Sequence, residues 1–498
     1  MANYSLLQLT EGTYRDDKVW PLNLHPSISD DGSRVVYVSA IEPGRPGYSI
    51  WLYDRNNHDE LEKLSVNVRG DEHFLDASYS QISGDGQKII FASQFFYTEE
   101  RKTGIYIYDI NSGTIRLVVN DMIPYEAEGA GRIGRPGMRK YVNSKPSISS
   151  NGQRIAYVLT DYVYSGATQY HWRATRQRLM IADIDRENVR GGSVLEITAE
   201  SAFGHGIQSL MISGDGRHIA FYAGGIIEGL NVSNLEMPAY TTERNAGSLS
   251  QTCNVYCYIV HIQRPGQYTL KVVPKPELST QPLIVAHPYT GNIQSFNMSS
   301  VLNTPPSITA DGSRIALNAE FIMGSENTGT YIYEPFGTSI GTNNIITFGI
   351  QPGVGSEETP LTTGVAPAIS TDGNWLAYYR RDVRFREGYN NPDAYIEGES
   401  YCPSVEKDEV QVLHFSDGDI SNLIDYNDED CTPYTSGMAL DIADNASHVA
   451  FISTADKVGR NRDLSHEVYY ASKETLKYLK PIKNLSCRKI RKSKKNIL

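Results

Sequence analysis

No run in this 498-residue chain approaches the roughly 18 consecutive apolar residues of a membrane-spanning helix, so none is expected. The opening MANYSLLQLTEGTYRDD lacks the basic start and apolar core of a secretory leader, which makes the cytoplasm the default compartment. Five cysteines are too few for a disulfide framework, and Cys253 and Cys257 bring no second ligand pair for zinc. Cys402 and Cys431 are read as loop thiols that could pair under oxidising conditions. The phosphate-cradling G-x-x-x-x-G-K-[ST], the H-E-x-x-H helix and the paired C-x-x-C are missing, so no metal or other cofactor is expected. Phenylalanine is scarce, at 13 against 33 tyrosines, a balance that suits strands apolar on one side and wet at the rim.

What the chain does have is a repeat. The strings PSISDDGSRVVYV, SQISGDGQKIIFA, PSISSNGQRIAYV, LMISGDGRHIAFY, PSITADGSRIALN, PAISTDGNWLAYY and the worn LDIADNASHVAFI begin near 26, 80, 146, 210, 306, 367 and 440. Each reads as a short strand, a turn at Asp-Gly or Asn-Gly, and a second alternating strand. A second hairpin follows each copy, so the unit is a four-stranded antiparallel blade. The turn positions Gly32, Gly86, Gly152, Gly216, Gly312, Gly373 and Ala446 lie 54, 66, 64, 96, 61 and 73 residues apart. A solenoid keeps its period better, so the expected fold is all-β, a seven-bladed β-propeller with unequal loops. One such propeller is expected over residues 1–482, with an insertion at 223–282 in blade 4 whose CNVYCYIVHIQRPGQYTLKVV reads as a protruding hairpin. Residues 483–498 form a basic tail, expected to be disordered; its seven basic residues leave −12 − 7 = −19 for the remainder.

The motif in SISSNGQRIAYV and AISTDGNWLAYY resembles the WD40-like propeller repeat of the TolB type, from about residue 20 to 480. That resemblance implies a fold and no one activity, since such repeats occur in scaffold proteins, in the gating domains of serine peptidases and in polysaccharide lyases. Two segments compete for the outer edge of the last blade: Tyr4 to Thr10, which resembles the outer strand VLEITAE of blade 3, and the C-terminal KETLKYLKPI. The sequence leaves that choice open.

With strands labelled A to D from the channel outwards, the Asp-Gly turns join A to B on one face. The long B–C and D–A connections then emerge on the other, as a rigid scaffold presents a binding surface. Three basic, aromatic-laced stretches fall there: AGRIGRPGMRKY with Arg135 and Arg139; QYHWRATRQR with Tyr170, His171, Trp172, Arg173 and Arg176; and YYRRDVRFREGYNNPDAY with Arg380, Arg384 and Tyr389. Together they suggest an anionic partner, because guanidinium forks match carboxylate or sulfate and aromatic faces stack on sugars. The acidic run Asp425, Asp428, Glu429, Asp430 lacks EF-hand spacing and reads as a solvated turn.

Two functional classes follow. In the first, the propeller is a non-catalytic scaffold whose elaborated face docks a protein or an acidic polysaccharide; nucleic acid is expected only through the basic tail. In the second, resembling the propeller polysaccharide lyases, Tyr170, His171 or His205 removes the proton beside a uronate carboxylate that Arg173 neutralises. A propeller-gated serine peptidase needs a separate α/β-hydrolase domain, and the repeats leave no room for one.

Overall fold

The computed structural model describes residues 4–10, 23–40, 48–57, 60–63, 77–93, 104–120, 139–164, 172–184, 192–198, 206–224, 227–228, 255–264, 267–274, 283–286, 304–319, 329–334, 345–348, 361–384, 404–427, 439–453, 458 and 467–473. Among them there are no α-helices, hence none that could cross a membrane.

Each repeat folds through its own side chains. In blade 1 the Ser29 hydroxyl donates to Asp31 Oδ1 (2.6 Å), which also accepts the Ser33 amide (2.9 Å), while Ser29 Oγ accepts from Arg34 N (3.1 Å). The Gly32 amide closes the turn on Ser29 O (2.8 Å). The same set recurs around Asp85, Asn151, Asp215, Asp311 and Asp372, so a Ser/Thr-x-Asp/Asn-Gly string specifies the hairpin locally.

These hairpins open seven antiparallel sheets of four strands, two of them carrying a short extra strand. The A strands are Asn23–Ile28, Ala77–Ile82, Arg139–Ile148, Ile207–Ile212, Ser307–Ile308, Leu361–Ile369 and Leu440–Ile442. Apolar residues on both sides of each sheet build seven cores, one at each junction between neighbouring blades. The junction of blades 7 and 1, for example, packs Ile452, Val468 and Tyr470 against Ile28, Val35 and Tyr37.

The N-terminal segment takes the contested edge. Ser5–Gln8 pairs with Glu467–Ser472 as the fourth strand of blade 7, Ser5 opposite Ser472 and Gln8 opposite Tyr469. The Leu9 amide then bonds Val468 O (2.8 Å), and the Thr10 hydroxyl donates to the buried Glu467 carboxylate. With Glu467–Ser472 paired on both sides, no edge of that strand is left open. Beyond Lys473, KETLKYLKPI and the basic tail lie outside the described residues.

A second closure runs through the turns themselves. Asp30 N bonds Gly84 O, Asp85 N bonds Ser150 O, Ser150 N bonds Gly214 O, Asp215 N bonds Ala310 O, and Ala310 N bonds Thr371 O. Asp372 N reaches Asp444 Oδ1 (3.2 Å), and Asp444 N returns to Asp30 O (2.8 Å). Seven turns are thereby linked in one circle.

Blade 4 corrects the expected insertion. Val255–Arg264 pairs with strand B, His218 opposite His261, and Gln267–Val272 pairs on its far side. The presumed protruding hairpin thus supplies strands C and D, and of the described residues of LIVAHPYTGNIQSF, Ile284–Ala286 pairs against Val255 and Tyr256. Burial explains the choice. Val255, Cys257 and Ile259 enter the core towards blade 5, and Tyr256, Tyr258, Val260 and Ile262 that towards blade 3. A strand apolar on both faces belongs inside the ring.

Candidate functional site

Blades 3 and 6 are longer than the others at one end. Strands A, B and C of blade 3 have 10, 11 and 12 residues (Arg139–Ile148, Arg154–Tyr164, Trp172–Asp183), and those of blade 6 have 9, 10 and 11 (Leu361–Ile369, Trp375–Arg384, Ser404–His414). In blade 2 they have 6 each. Register fixes where the extra length lies: in blade 3, Ile148 faces Ile155 beside the turn and Arg139 faces Val163 at the far end. Both extensions therefore project on the face away from the Asp-Gly turns.

This changes the reading of QYHWRATRQR. Trp172 to Arg178 is strand, paired with Leu159 to Tyr164, because the preceding TDYVY run offers it a complete partner. Arg139, Val163 and Arg173 form one row across strands A, B and C. Arg384 ends strand B of blade 6 opposite Ser404. Arg135, Tyr170, His171, His205 and Tyr389 lie outside the described residues, as do Asp428, Glu429 and Asp430; Asp425 sits on strand D of blade 6, opposite Glu409.

Two of the expected anion-binding arginines already have carboxylate partners. Asp161, buried on strand B, receives Arg176 Nε and Nη2 at Oδ2 (2.8 and 2.7 Å) and Arg178 Nη2 at Oδ1 (2.9 Å). Between those arginines, Gln177 Oε1 accepts the Ile207 amide of blade 4 (2.7 Å). In blade 6, Arg380 Nη1 lies 3.7 Å from the fully buried Glu409, whose Oε2 accepts from Gln411 Nε2 (2.8 Å), while Tyr378 donates to Gln411 Oε1 (2.8 Å). Tyr379 donates to Ile452 O (2.7 Å). Arg176, Arg380 and the two tyrosines thus hold the long sheets together. Burying a carboxylate is costly without such partners, and the pairing of Asp161 with Arg176 carried no signal beyond their positions in the sequence.

The channel has a floor on the turn face. Asp30 Oδ1 accepts from Thr371 of blade 6 (2.8 Å), and Oδ2 lies directly over Gly84 of blade 2, 2.1 Å from where a β-carbon there would sit. Its carboxyl also meets Ser150 of blade 3, and burial raises its pKa. One side chain thus touches three blades across the mouth. The next layer up is Ser27, Gln81, Ser147, Met211, Ser307, Ala368 and Asp441. Strand A is each blade's inner edge, and its amides need partners. Ser27 Oγ accepts from Ile82 N (3.3 Å), Gln81 Oε1 from Ile148 N (3.0 Å), Ser147 Oγ from Ile212 N (3.0 Å), Ser307 Oγ from Ile369 N (3.0 Å) and Asp441 Oδ2 from Ile28 N (2.9 Å). Residue types that seemed interchangeable in the repeat are thereby assigned work.

The expectation that a serine peptidase's G-x-S-x-G elbow is missing needs a correction of detail, because the chain contains one such string, GTSIG at 337–341. It falls between strands C and D of blade 5 (Gly329–Tyr333 and Ile345–Phe348), an antiparallel pair, whereas a nucleophile elbow joins a strand to a helix. Residues 335–344 are outside the described ones.

No family model and no curated protein matches the chain. Solved propellers do, at low identity. The β-propeller domain of the Trilobed protease from Pyrococcus furiosus aligns over 92% of this chain and 95% of its own, with 13% identity and a TM-score of 0.41. Pyrococcus horikoshii acylaminoacyl peptidase aligns over 91% of this chain but 52% of its own, with 14% identity and a TM-score of 0.45, so the chain spans about half of that enzyme. A TolB of Agrobacterium tumefaciens aligns over 91% and 90%, with 12% identity and a TM-score of 0.30. What this chain shares with them is the propeller.

Proposed function

We propose that this propeller is a non-catalytic binding platform, of the TolB-like kind that its repeat suggests, which recognises an acidic partner with the face opposite its Asp-Gly turns. The observation behind this reading is that blades 3 and 6, three positions apart in the ring, are both extended on that face and that Arg139, Arg173 and Arg384 stand at the extended ends. Arg176 and Arg380, engaged by Asp161 and Glu409, support those ends from within the sheets. A long strand carries a side chain more rigidly than a loop, which lowers the ordering cost of contact. The partner would be an acidic polysaccharide or an acidic protein surface, met by guanidinium groups from two sides of the ring.

The test uses the full chain and immobilised polyuronate, with neutral dextran as control. Binding that weakens steeply between about 50 and 200 mM salt is expected, since such contacts are screened within about 10 Å. Arg173→Ala with Arg384→Ala should reduce it at least about tenfold at an unchanged melting temperature. Equal retention of the double variant, or equal binding to dextran, would sink the reading. An unsaturated uronate absorbing in the ultraviolet would replace it with the lyase.

A further inference from the structure

One layer above Ser27 and Asp441, towards the elaborated face, the repeat places His25, Tyr79, Lys145, Ser209, Pro305, Ala366 and Ala439 at equivalent positions of the seven inner strands. The wall is therefore polar along blades 1 to 4 and apolar along blades 5 to 7. His25 and Tyr79 are in ring contact (centroids 5.1 Å), and Lys145 Nζ donates to Ile207 O of blade 4 (2.6 Å). Ser209 is 7% exposed, and its hydroxyl has no hydrogen-bond partner among the described residues.

Folding does not demand these residues. His25, Lys145 and Ala366 all have positive φ (50°, 52° and 50°), each just before a proline at a bulge in strand A. Since alanine fills the same strained position in blade 6, the backbone is indifferent to the side chain, and a lysine there is not a structural requirement. It is also costly. Burial alone pushes the Lys145 ammonium down to about 8, and no carboxylate faces it among the described residues. The other ionisable groups of the wall do not compensate it. Burial lowers His25 to about 4, so it is neutral, and it raises the Tyr79 phenol, which also feels Asp441. Asp441, pushed up to about 6 by burial, lies a layer deeper, with its oxygens on the Ile28 and Ile442 amides.

We infer that this polar arc is a binding site for a small organic oxyanion, a carboxylate or a phosphate, with Lys145 as its counter-charge, Ser209 as a second donor and the His25 and Tyr79 rings beside its organic part. The site is separate from the arginine face, so each proposal can fail alone.

Calorimetry on the full chain at pH 7 would use benzoate and inorganic phosphate as probes, with benzamide as the neutral match of benzoate. One oxyanion should bind with one-to-one stoichiometry, and benzamide about tenfold more weakly or not at all. Lys145→Met should weaken binding at least about tenfold without lowering the melting temperature, because it removes an uncompensated buried charge. Should Lys145→Met not fold, Ser209→Ala removes only an unpartnered hydroxyl and should weaken binding about threefold or more. No heat with either anion at 10 mM, or full affinity in a folded Lys145→Met or Ser209→Ala variant, would overturn the site.

Discussion

Blades 6 and 7 stand side by side in the ring and turn their first hairpins differently. Blade 6 does it locally: Ser370 bonds Asp372, Asp372 bonds the Asn374 amide, and Gly373 takes φ 75°. In blade 7 the serine is Ala443 and the glycine is Ala446; Asn445 and Ala446 both adopt positive φ (56° and 46°) with no side-chain cap. The support comes from the chain ends instead. Tyr4 donates to Ala446 O (2.8 Å) and Lys473 to Asn445 O (2.9 Å), and the same Lys473 ammonium sits 3.8 Å from the centre of the Trp375 ring. The blade that closes the ring thus keeps the local Ala446 N–Ala443 O and Ser447 N–Asp444 O bonds (both 3.2 Å) but has exchanged the Ser-Asp cap for bracing by the two terminal strands.

Removing residues 1–10 should therefore have the largest effect. It strips the buried Leu7 and Leu9 and the Thr10 partner of Glu467, and it leaves one edge of Glu467–Ser472 unpaired. A loss of about 4 kcal/mol or more is expected in denaturant unfolding, with aggregation by light scattering. An unchanged midpoint would separate closure from stability. Next come the local turns. A β-carbon on Gly312 (φ 72°) would lie 2.3 Å from the His218 ring, whereas one on Gly152 (φ 64°) would meet nothing closer than Lys88 Cδ at 3.2 Å. Gly312→Val should cost about 3 kcal/mol and Gly152→Val about 1–2 kcal/mol, the former adding a collision to the strain that both share. A reversed order of melting temperatures would refute the contact. Smallest and opposite in sign, Ala446→Gly should stabilise by about 0.5–1 kcal/mol by relieving the left-handed alanine. If that variant melts lower, the ends leave the seventh turn no strain to relieve.

The first six turns were legible because the capping hydrogen bonds that make them join residues at most five apart, as from Ser149 to Arg154, whereas the seventh draws on Tyr4 and Lys473 and left only a worn copy in the sequence. Blade 4 was misread because two candidate hairpins followed its B strand and only burial on both faces, a property of the closed ring, separates them. The extended ends of blades 3 and 6 were placed on the correct face but taken for loops, since Trp172–Arg178 has a strand's alternation only once TDYVY is set opposite it. The channel was expected, but the polar residues of its wall were not singled out. Their signal was one residue upstream of each motif, in HPSIS, KPSIS and APAIS, where an ionisable residue replaced alanine without disturbing the repeat.

The Asp30 floor has a consequence for rates. With that carboxyl held between Thr371, Gly84 and Ser150, the described residues narrow the channel on the turn face and leave its entrance on the face where blades 3 and 6 are extended. A molecule beside Lys145 would then leave towards that face. A partner seated across that entrance would then set the molecule's residence time without touching it, slowing release and capture alike and leaving the equilibrium constant where it was.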